Sequence, residues 1–283
     1  MRNPWFPLVL ALWSFPAAAQ LQAQTRASAA SPAGAVEIIA HRGASADAPE
    51  NTLAAFNLAW RTGVKAIELD VHLNSDGELL VSHDANTKRT TGVDRVIAQS
   101  TLAELRTLDA GKWKGAQWTG EKMPTLGEVL ATIPDDGKCY IEIKVGAEAV
   151  PAVAEAVKAS GKRADQLAII SFQIDAVEAA KQQLPDIEAY YLASFKQDST
   201  TKVWTPTIEQ LIQQAKAVHA DGLDLSYNGP IDRGAVQRIK DAGLGIVVWT
   251  VDSPEVARQM IGYGVEGVTT NRAAWLQQEL ARP

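Results

Sequence analysis

Glu68 and Asp70 stand two residues apart in the apolar run "AIELDV", and Glu142 and Lys144 repeat that spacing in "YIEIK". Side chains two apart on a strand point to one face, so each pair is delivered together. Three carboxylates converging amid apolar neighbours repel one another unless protonated or neutralised by a cation. An all-oxygen set suits a hard divalent ion, Ca²⁺ or Mg²⁺, and no Cys or His pairs at ligand spacing point to structural zinc. Two further runs, "IIAHRG" and "LLVSHD", end in His41-Arg42 and His83. Histidine carries protons both ways near neutrality, and Arg42 and Lys144 offer cationic donors to an oxyanion such as a phosphate. One acid or one histidine alone would read as an ordinary surface ion pair or a satisfied structural residue. Three acids, two histidines and two cations at four strand ends read as an active site.

Eight strand-like runs can carry these residues: 36–41, 66–71, 139–144, 167–172, 188–193, 218–225, 245–251 and 265–270. Several are continuously apolar, as parallel strands covered on both faces must be. Helical segments intervene. Asn51 and Thr52 suit an N-cap before Leu53, Phe56 and Trp60, with Gly63 at the stop, and "DSPEVARQMIGYG" repeats the punctuation. Alternation over eight strands favours an α/β fold, a closed (β/α)8 TIM barrel, with an open doubly wound sheet as the alternative. In a barrel the strand C-termini form the site, which is where the acids, histidines and cations fall, together with Ser171 and Trp249.

"ELLVSHD" follows the second strand after only "NSDG", too short for a helical crossover, so the two form an antiparallel hairpin. A turn centred between Ser75 and Asp76 predicts Glu68 opposite His83 and Asp70 opposite Val81, with His72 on the same face. The next strand begins only after residues 85–137, an interval read as a small inserted subdomain over one barrel mouth, with helices near 101–108 and 125–132. Trp113 and Trp118 lie within it and are expected to pack there. His219, at the start of a strand, falls at the wrong end of the barrel.

The N-terminus reads differently. Arg2, the apolar run from Trp5 to Phe15 and Ala17-Ala18-Ala19 describe a secretory signal peptide over 1–19, and the Ala/Ser/Gln-rich stretch 20–35 a disordered leader. The run is shorter than the roughly 20 apolar residues of a membrane span. An exported, periplasmic protein without a membrane anchor is the expectation. Residues 36–283 remain as one domain. A net charge of −6 argues against non-specific nucleic-acid binding, and the single cysteine, Cys139 in a strand-like run, reads as a buried inert thiol. The Gly-x-Gly at 243–245 precedes a strand and fails as a dinucleotide fingerprint.

Taken in order, "HRGASADAPENTLAAF", "AIELDVHLNSDGELLVSHD", "PTLGEVL", "YIEIK" and "VVWTVD" resemble the glycerophosphodiester phosphodiesterase family, from about residue 38 to 271. The resemblance implies a TIM barrel with an insertion after the His83-Asp84 motif. It implies metal-dependent hydrolysis of glycerophosphodiesters, such as glycerophosphocholine or glycerophosphoethanolamine, to sn-glycerol 3-phosphate and an alcohol. By motif, His41 and His83 become the general acid and base in unassigned order, Glu68, Asp70 and Glu142 the holders of one divalent ion, and Arg42 and Lys144 the phosphate ligands. The attacking oxygen is then the substrate's own glycerol hydroxyl, passing through a cyclic phosphate. Glu50 is expected near the metal or the glycerol, and Trp249 at the glycerol pocket. Glu266 stands where the family has Asp. A lysophospholipid- or phosphoinositide-directed phosphodiesterase on the same barrel, and a non-catalytic phosphate-ester binding protein, are the alternatives.

Overall fold

A computed structural model describes Met1 and residues 36–282; the expected signal peptide over 1–19 and leader over 20–35 lie, Met1 apart, outside the described residues. Eleven strands follow in chain order: β1 (Glu37–Ala40), β2 (Ala66–Leu73), β3 (Leu79–Val81), β4 (Lys138–Ile143), β5 (Leu167–Ser171), β6 (Glu188–Ala193), β7 (Lys196–Gln197), β8 (Trp204–Thr205), β9 (Gly222–Ser226), β10 (Gly245–Trp249) and β11 (Gly267–Thr270). Eight of them close a parallel ring in the order β1-β11-β10-β9-β6-β5-β4-β2, with β2 returning to β1. Ala40 sits beside Thr270 on one side and Ile67 on the other, so the first strand seals the barrel against both the last and the second. The expected eight-stranded TIM barrel is the fold. The sixth barrel strand starts at Gly222 rather than 218, and His219 lies in the preceding turn with φ 57°.

The barrel interior is filled by alternate residues, Ile39, Ala66, Tyr140, Ala168, Ile170, Tyr190, Leu192 and Val247. An inward position on β9 is a glycine for room: a Cβ on Gly222 would come within 2.4 Å of the Tyr190 ring. The opposite faces of the same strands meet the helices. Helix Leu53–Arg61 is capped by Thr52, whose hydroxyl accepts from the Ala55 amide, a contact worth about 1 kcal/mol. It buries Ala55, Phe56 and Ala59 completely, and trimming Phe56 to Ala would cost about 3–5 kcal/mol. Helix Pro254–Tyr263 starts at Ser253, which caps the Val256 amide, and stops at Gly264 with φ 102°.

β3 pairs antiparallel with β2, but in a register one residue from the expected one: Val71 faces Val81, and Leu73 faces Leu79. The cause is an odd turn. Asn74 N–H donates to the Glu78 carbonyl around Ser75-Asp76-Gly77, Gly77 takes φ 81°, and the Asn74 side-chain oxygen accepts from the Asp76 and Glu78 amides. The Ser82 amide, not a residue of the Val81 pair, therefore meets the Asp70 carbonyl, and His83 lies past the end of β3. The inserted segment packs a small core of Leu80, Ile97, Leu105, Leu108, Ala110 and Met123 against that hairpin. Helices Leu102–Leu105 and Leu126–Leu130 both begin with capping boxes, Thr101 with Glu104 and Thr125 with Glu128.

Candidate active site

The tip of β1 is built by its backbone. Arg42 takes φ 55° and Gly43 φ 80°, and a Cβ at Gly43 would lie 2.8 Å from the Ala55 backbone. Only glycine fits a left-handed turn pressed against the next helix. That turn aims the Arg42 amide at Glu68 Oε2, 2.9 Å away, and brings the Arg42 side chain over the acids, with Nε 3.4 Å from Asp70 Oδ2 and Nη1 2.8 Å from Glu50 Oε1. Asn51, also left-handed at φ 57°, donates its amide to the Arg42 carbonyl and its side-chain Nδ2 to Asp70 Oδ2. The segment behind the strand tip thus fixes both the arginine and one acid.

Asp70 and Glu142 are register partners on β2 and β4, and Glu68, Asp70 and Glu142 are all buried, each offering an oxygen within 4.8 Å of the others. At that spacing each pair of charges repels by roughly 3–4 kcal/mol at an effective dielectric near 20. Burial, with Asp70 and Glu142 beside it, pushes Glu68 well above the usual carboxylate range, and burial with Asp70 pushes Glu142 up to about 7. Asp70 goes the other way: burial opposes its charge, but Lys144 and Arg42 outweigh it. Lys144 Nζ sits 2.7 Å from Glu142 Oε1 and 3.3 Å from Asp70 Oδ1. Lys144 and Arg42 do not complete the set, because Glu68 Oε1 is buried with no hydrogen-bond partner among the described residues. An orphaned carboxylate oxygen in an all-oxygen cluster is the donor set of a hard divalent ion, so these residues fit one.

The two histidines flank the cluster. His41 Nδ1 lies 2.8 Å from Asn271 Oδ1, and Asn271 donates its own Nδ2 to Asp252 Oδ2 at 2.7 Å. Because Asp252 only accepts, the amide is fixed with its oxygen toward the ring; His41 therefore carries its proton on Nδ1 and presents Nε2 bare, 4.0 Å from Glu68 Oε2. Burial, with Arg42 beside it, lowers the His41 pKa to about 4, so the ring is neutral at ordinary pH. His83 is more exposed, its side chain 34% accessible, and its Nδ1 lies 2.7 Å from Asp84 Oδ1. Arg89 holds Asp84 through Nε at 2.7 Å and grips Glu50 with both terminal nitrogens at 2.8 Å. A continuous chain, His83–Asp84–Arg89–Glu50–Arg42, ties the second histidine to the arginine over the acids. Arg89 holds Asp84 down at about 2. His72 Nε2 lies 3.1 Å from the His83 carbonyl and steadies the end of the hairpin.

These groups open on one cavity. His41, Arg42, Glu68, His83, Glu142 and Lys144 form its charged side. Across from them stand Ile170, Leu192, Phe172 and Trp249, the last two edge to face at 5.6 Å, with Asp224 between. The structure so brings His41, His83, Arg42, Lys144, Glu68, Glu142 and Trp249 to one cavity, with Asp70 buried beneath them. Glu50 lies outside the acid trio, in ion pairs with Arg42 and Arg89. Ser171 is not part of the site: its hydroxyl is spent on the Ile143 carbonyl. Glu266 precedes β11 at the opposite barrel end, paired with Lys240. Trp113 is half exposed in the insertion, its Nε1 donating to Ala110. Asn51, Asp84, Arg89, Asp224, Asp252 and Asn271 were not singled out as site residues from sequence. Asn51, Asp84 and Asp252 sit inside quoted motifs, and Asn271 follows β11 as His41 follows β1.

Residues 41–274 match the model of the glycerophosphoryl diester phosphodiesterase family. A glycerophosphodiester phosphodiesterase of Caldanaerobacter subterraneus subsp. tengcongensis is 34% identical over 238 residues, 83% of this chain and 93% of its own. One from Bacillus subtilis is 30% identical over 250 residues, 82% of each. Among solved structures, an Oleispira antarctica phosphodiesterase in complex with its product sn-glycerol-3-phosphate superposes with a TM-score of 0.78 at 31% identity, covering 87% of this chain and 97% of that one. With the barrel, the acid trio at its mouth and a match across most of the chain, the protein belongs to the glycerophosphoryl diester phosphodiesterase family and is a phosphoric diester hydrolase.

Proposed function

We propose that the protein hydrolyses glycerophosphodiesters such as glycerophosphocholine or glycerophosphoethanolamine to sn-glycerol 3-phosphate and an alcohol, with one divalent ion, Ca²⁺ or Mg²⁺, held by Glu68, Asp70 and Glu142. The observation that carries this reading is the trio itself, three buried acids with an unpartnered Glu68 oxygen beside two cations and two oriented histidines. The bound ion supplies neutralising charge to the phosphate and lowers the pKa of an oxygen it touches. Arg42 and Lys144 take the phosphate oxygens, turning from their present acid partners. His41, neutral and with Nε2 bare, removes the proton from the attacking hydroxyl as its oxygen bonds to phosphorus. His83, at the more open side and held through Nδ1 by Asp84, gives a proton to the departing alkoxide as its P–O bond breaks. The pair then works in reverse on the cyclic phosphate, His83 taking a proton from the water that attacks phosphorus and His41 returning one to the glycerol oxygen as the ring P–O bond breaks. The segment 1–19 supports an exported, periplasmic site of action, where diesters released from lipid headgroups are small soluble substrates.

The test is hydrolysis of glycerophosphocholine by the mature protein, with glycerol 3-phosphate measured in Ca²⁺, in Mg²⁺ and in excess chelator. Release that chelator abolishes and either metal restores is the expected result. Choline phosphate in place of glycerol 3-phosphate would reverse the assigned leaving group, and undiminished release in chelator would remove the ion from the mechanism.

A further inference from the structure

One buried acid lies outside the trio and outside the roles assigned above. Asp224 is 2% exposed and lines the active-site cavity, yet its Oδ1 has no hydrogen-bond partner among the described residues. Its neighbours on either side, Leu192 and Val247, are apolar members of the barrel interior. Leaving a buried polar atom unpaired costs about 1–3 kcal/mol, so a fold that needed only packing there would be better served by leucine. An unsatisfied group on a residue that lines a binding cavity is instead prepared for a partner that arrives with the ligand.

Position identifies that partner. In the ring β9 is four strands from β2 by either path, so Asp224 faces the acid trio from the opposite wall. A diester whose phosphorus lies at the trio, between Arg42 and Lys144, extends one arm toward Asp224 and the other toward the opening, where Phe172 is 40% exposed. The constant arm of this substrate class is glycerol, and the variable arm is the alcohol. A closed wall with one polar group fits the constant arm, and an exposed aromatic rim fits the variable one. Of the two glycerol hydroxyls, the terminal one lies farthest from phosphorus. Burial, with Glu142 adding to it, keeps the Asp224 carboxyl well above the usual range. In either protonation state the carboxyl carries an acceptor oxygen that one substrate hydroxyl can answer.

We propose that Asp224 is the specificity residue for glycerol, hydrogen-bonding the terminal hydroxyl of the substrate on the wall opposite the acid trio. The assignment rests on the glycerophosphodiester reading above. A site built around a substrate hydroxyl rejects the analogue without it, because its own buried group is then left unpaired.

The experiment compares sn-glycero-3-phosphocholine with its 1-deoxy analogue, which lacks only the terminal hydroxyl, in wild type and in Asp224→Leu. Wild type should favour the parent in kcat/KM by roughly 10–10²-fold, and Asp224→Leu should bring the ratio close to one while its Tm is unchanged or higher. Equal use of both diesters by wild type overturns the proposal without any variant. So does an unchanged ratio in Asp224→Leu, or in Asp224→Ala should the leucine variant fail to fold. If wild type turns over neither diester, the hydrolase reading fails on its own. Asp224 is then decided by calorimetric affinities for sn-glycerol 3-phosphate and its 1-deoxy counterpart: a preference lost in the variant supports the proposal, and equal affinities overturn it.

Discussion

The two histidines are held by opposite means. His41 stands at the end of a buried strand, and its support is an amide: Asn271, itself fixed by Asp252, which accepts from the Thr270 hydroxyl and from both nitrogens of Asn271. Every member of that support ends or follows a barrel strand. His83 lies past a three-residue strand, and its support is a line of charges, Asp84, Arg89 and Glu50, reaching across the inserted segment to Arg42. A neutral acceptor in a buried place fixes a tautomer without setting a full negative charge beside the ring, which suits a group that begins by taking a proton. A carboxylate chain at the rim fixes orientation where water has access and where the product leaves. The barrel thus supplies rigidity to one half of the site, and the hairpin with its insertion supplies the other.

The largest break in this comparison is removal of a ring. His41→Ala should lower kcat by roughly 10²–10⁴-fold with the fold intact, measured against circular dichroism and metal affinity; near-normal turnover would take His41 out of the chemistry. Its pKa of about 4 also fixes the sign of the pH response. A base depressed from 6.5 stays neutral as pH falls past 6, so the His41 limb of kcat/KM should descend only well below pH 6. A limb at 6–7 that disappears in His41→Gln would contradict this.

Next in size are the supports. Asn271→Leu and Asp84→Asn should each cost on the order of 10–10²-fold in kcat, but with different signatures. Losing Asn271 removes a contact that raises the His41 pKa, so the acid limb should move lower still, whereas Asp84→Asn should leave that limb in place. Identical profiles for the two variants would mean that the histidines are not supported independently. The smallest effect belongs to Arg89. Arg89→Gln should lose several-fold in activity, and 1 M salt should remove much of that difference, since its side chain is 43% exposed and charges at the rim are screened within about 3 Å at that ionic strength. Equal salt sensitivity in both proteins would deny the charged chain a role.

How much of this was legible follows from where the partners lie in the chain. Glu68 with Asp70, and Glu142 with Lys144, are two apart, and strand alternation alone puts each pair on one face. The barrel was legible because eight apolar runs alternate with capped helices. The hairpin register was not, because an asparagine side chain closes a three-residue turn where an even one was expected, and one residue of slip moves every contact. Asn271 is 230 residues from His41 and meets it only because β1 closes on β11. Asp224 looks like any acid in an apolar strand until the ring order sets it across from the trio. Arg89 sits in a four-residue helix of polar side chains, which gives no pattern to read.

That first-to-last closure has a consequence for how the enzyme comes into being. His41 is among the first barrel residues to be synthesised, and the amide that sets its tautomer is among the last. A chain still emerging from the ribosome therefore carries both histidines and all three acids with its base unoriented, and fragments that stop short of β11 should be inert even where they collapse. On the proposed mechanism, full turnover should switch on with the final strand, and its appearance in a refolding reaction should time barrel closure.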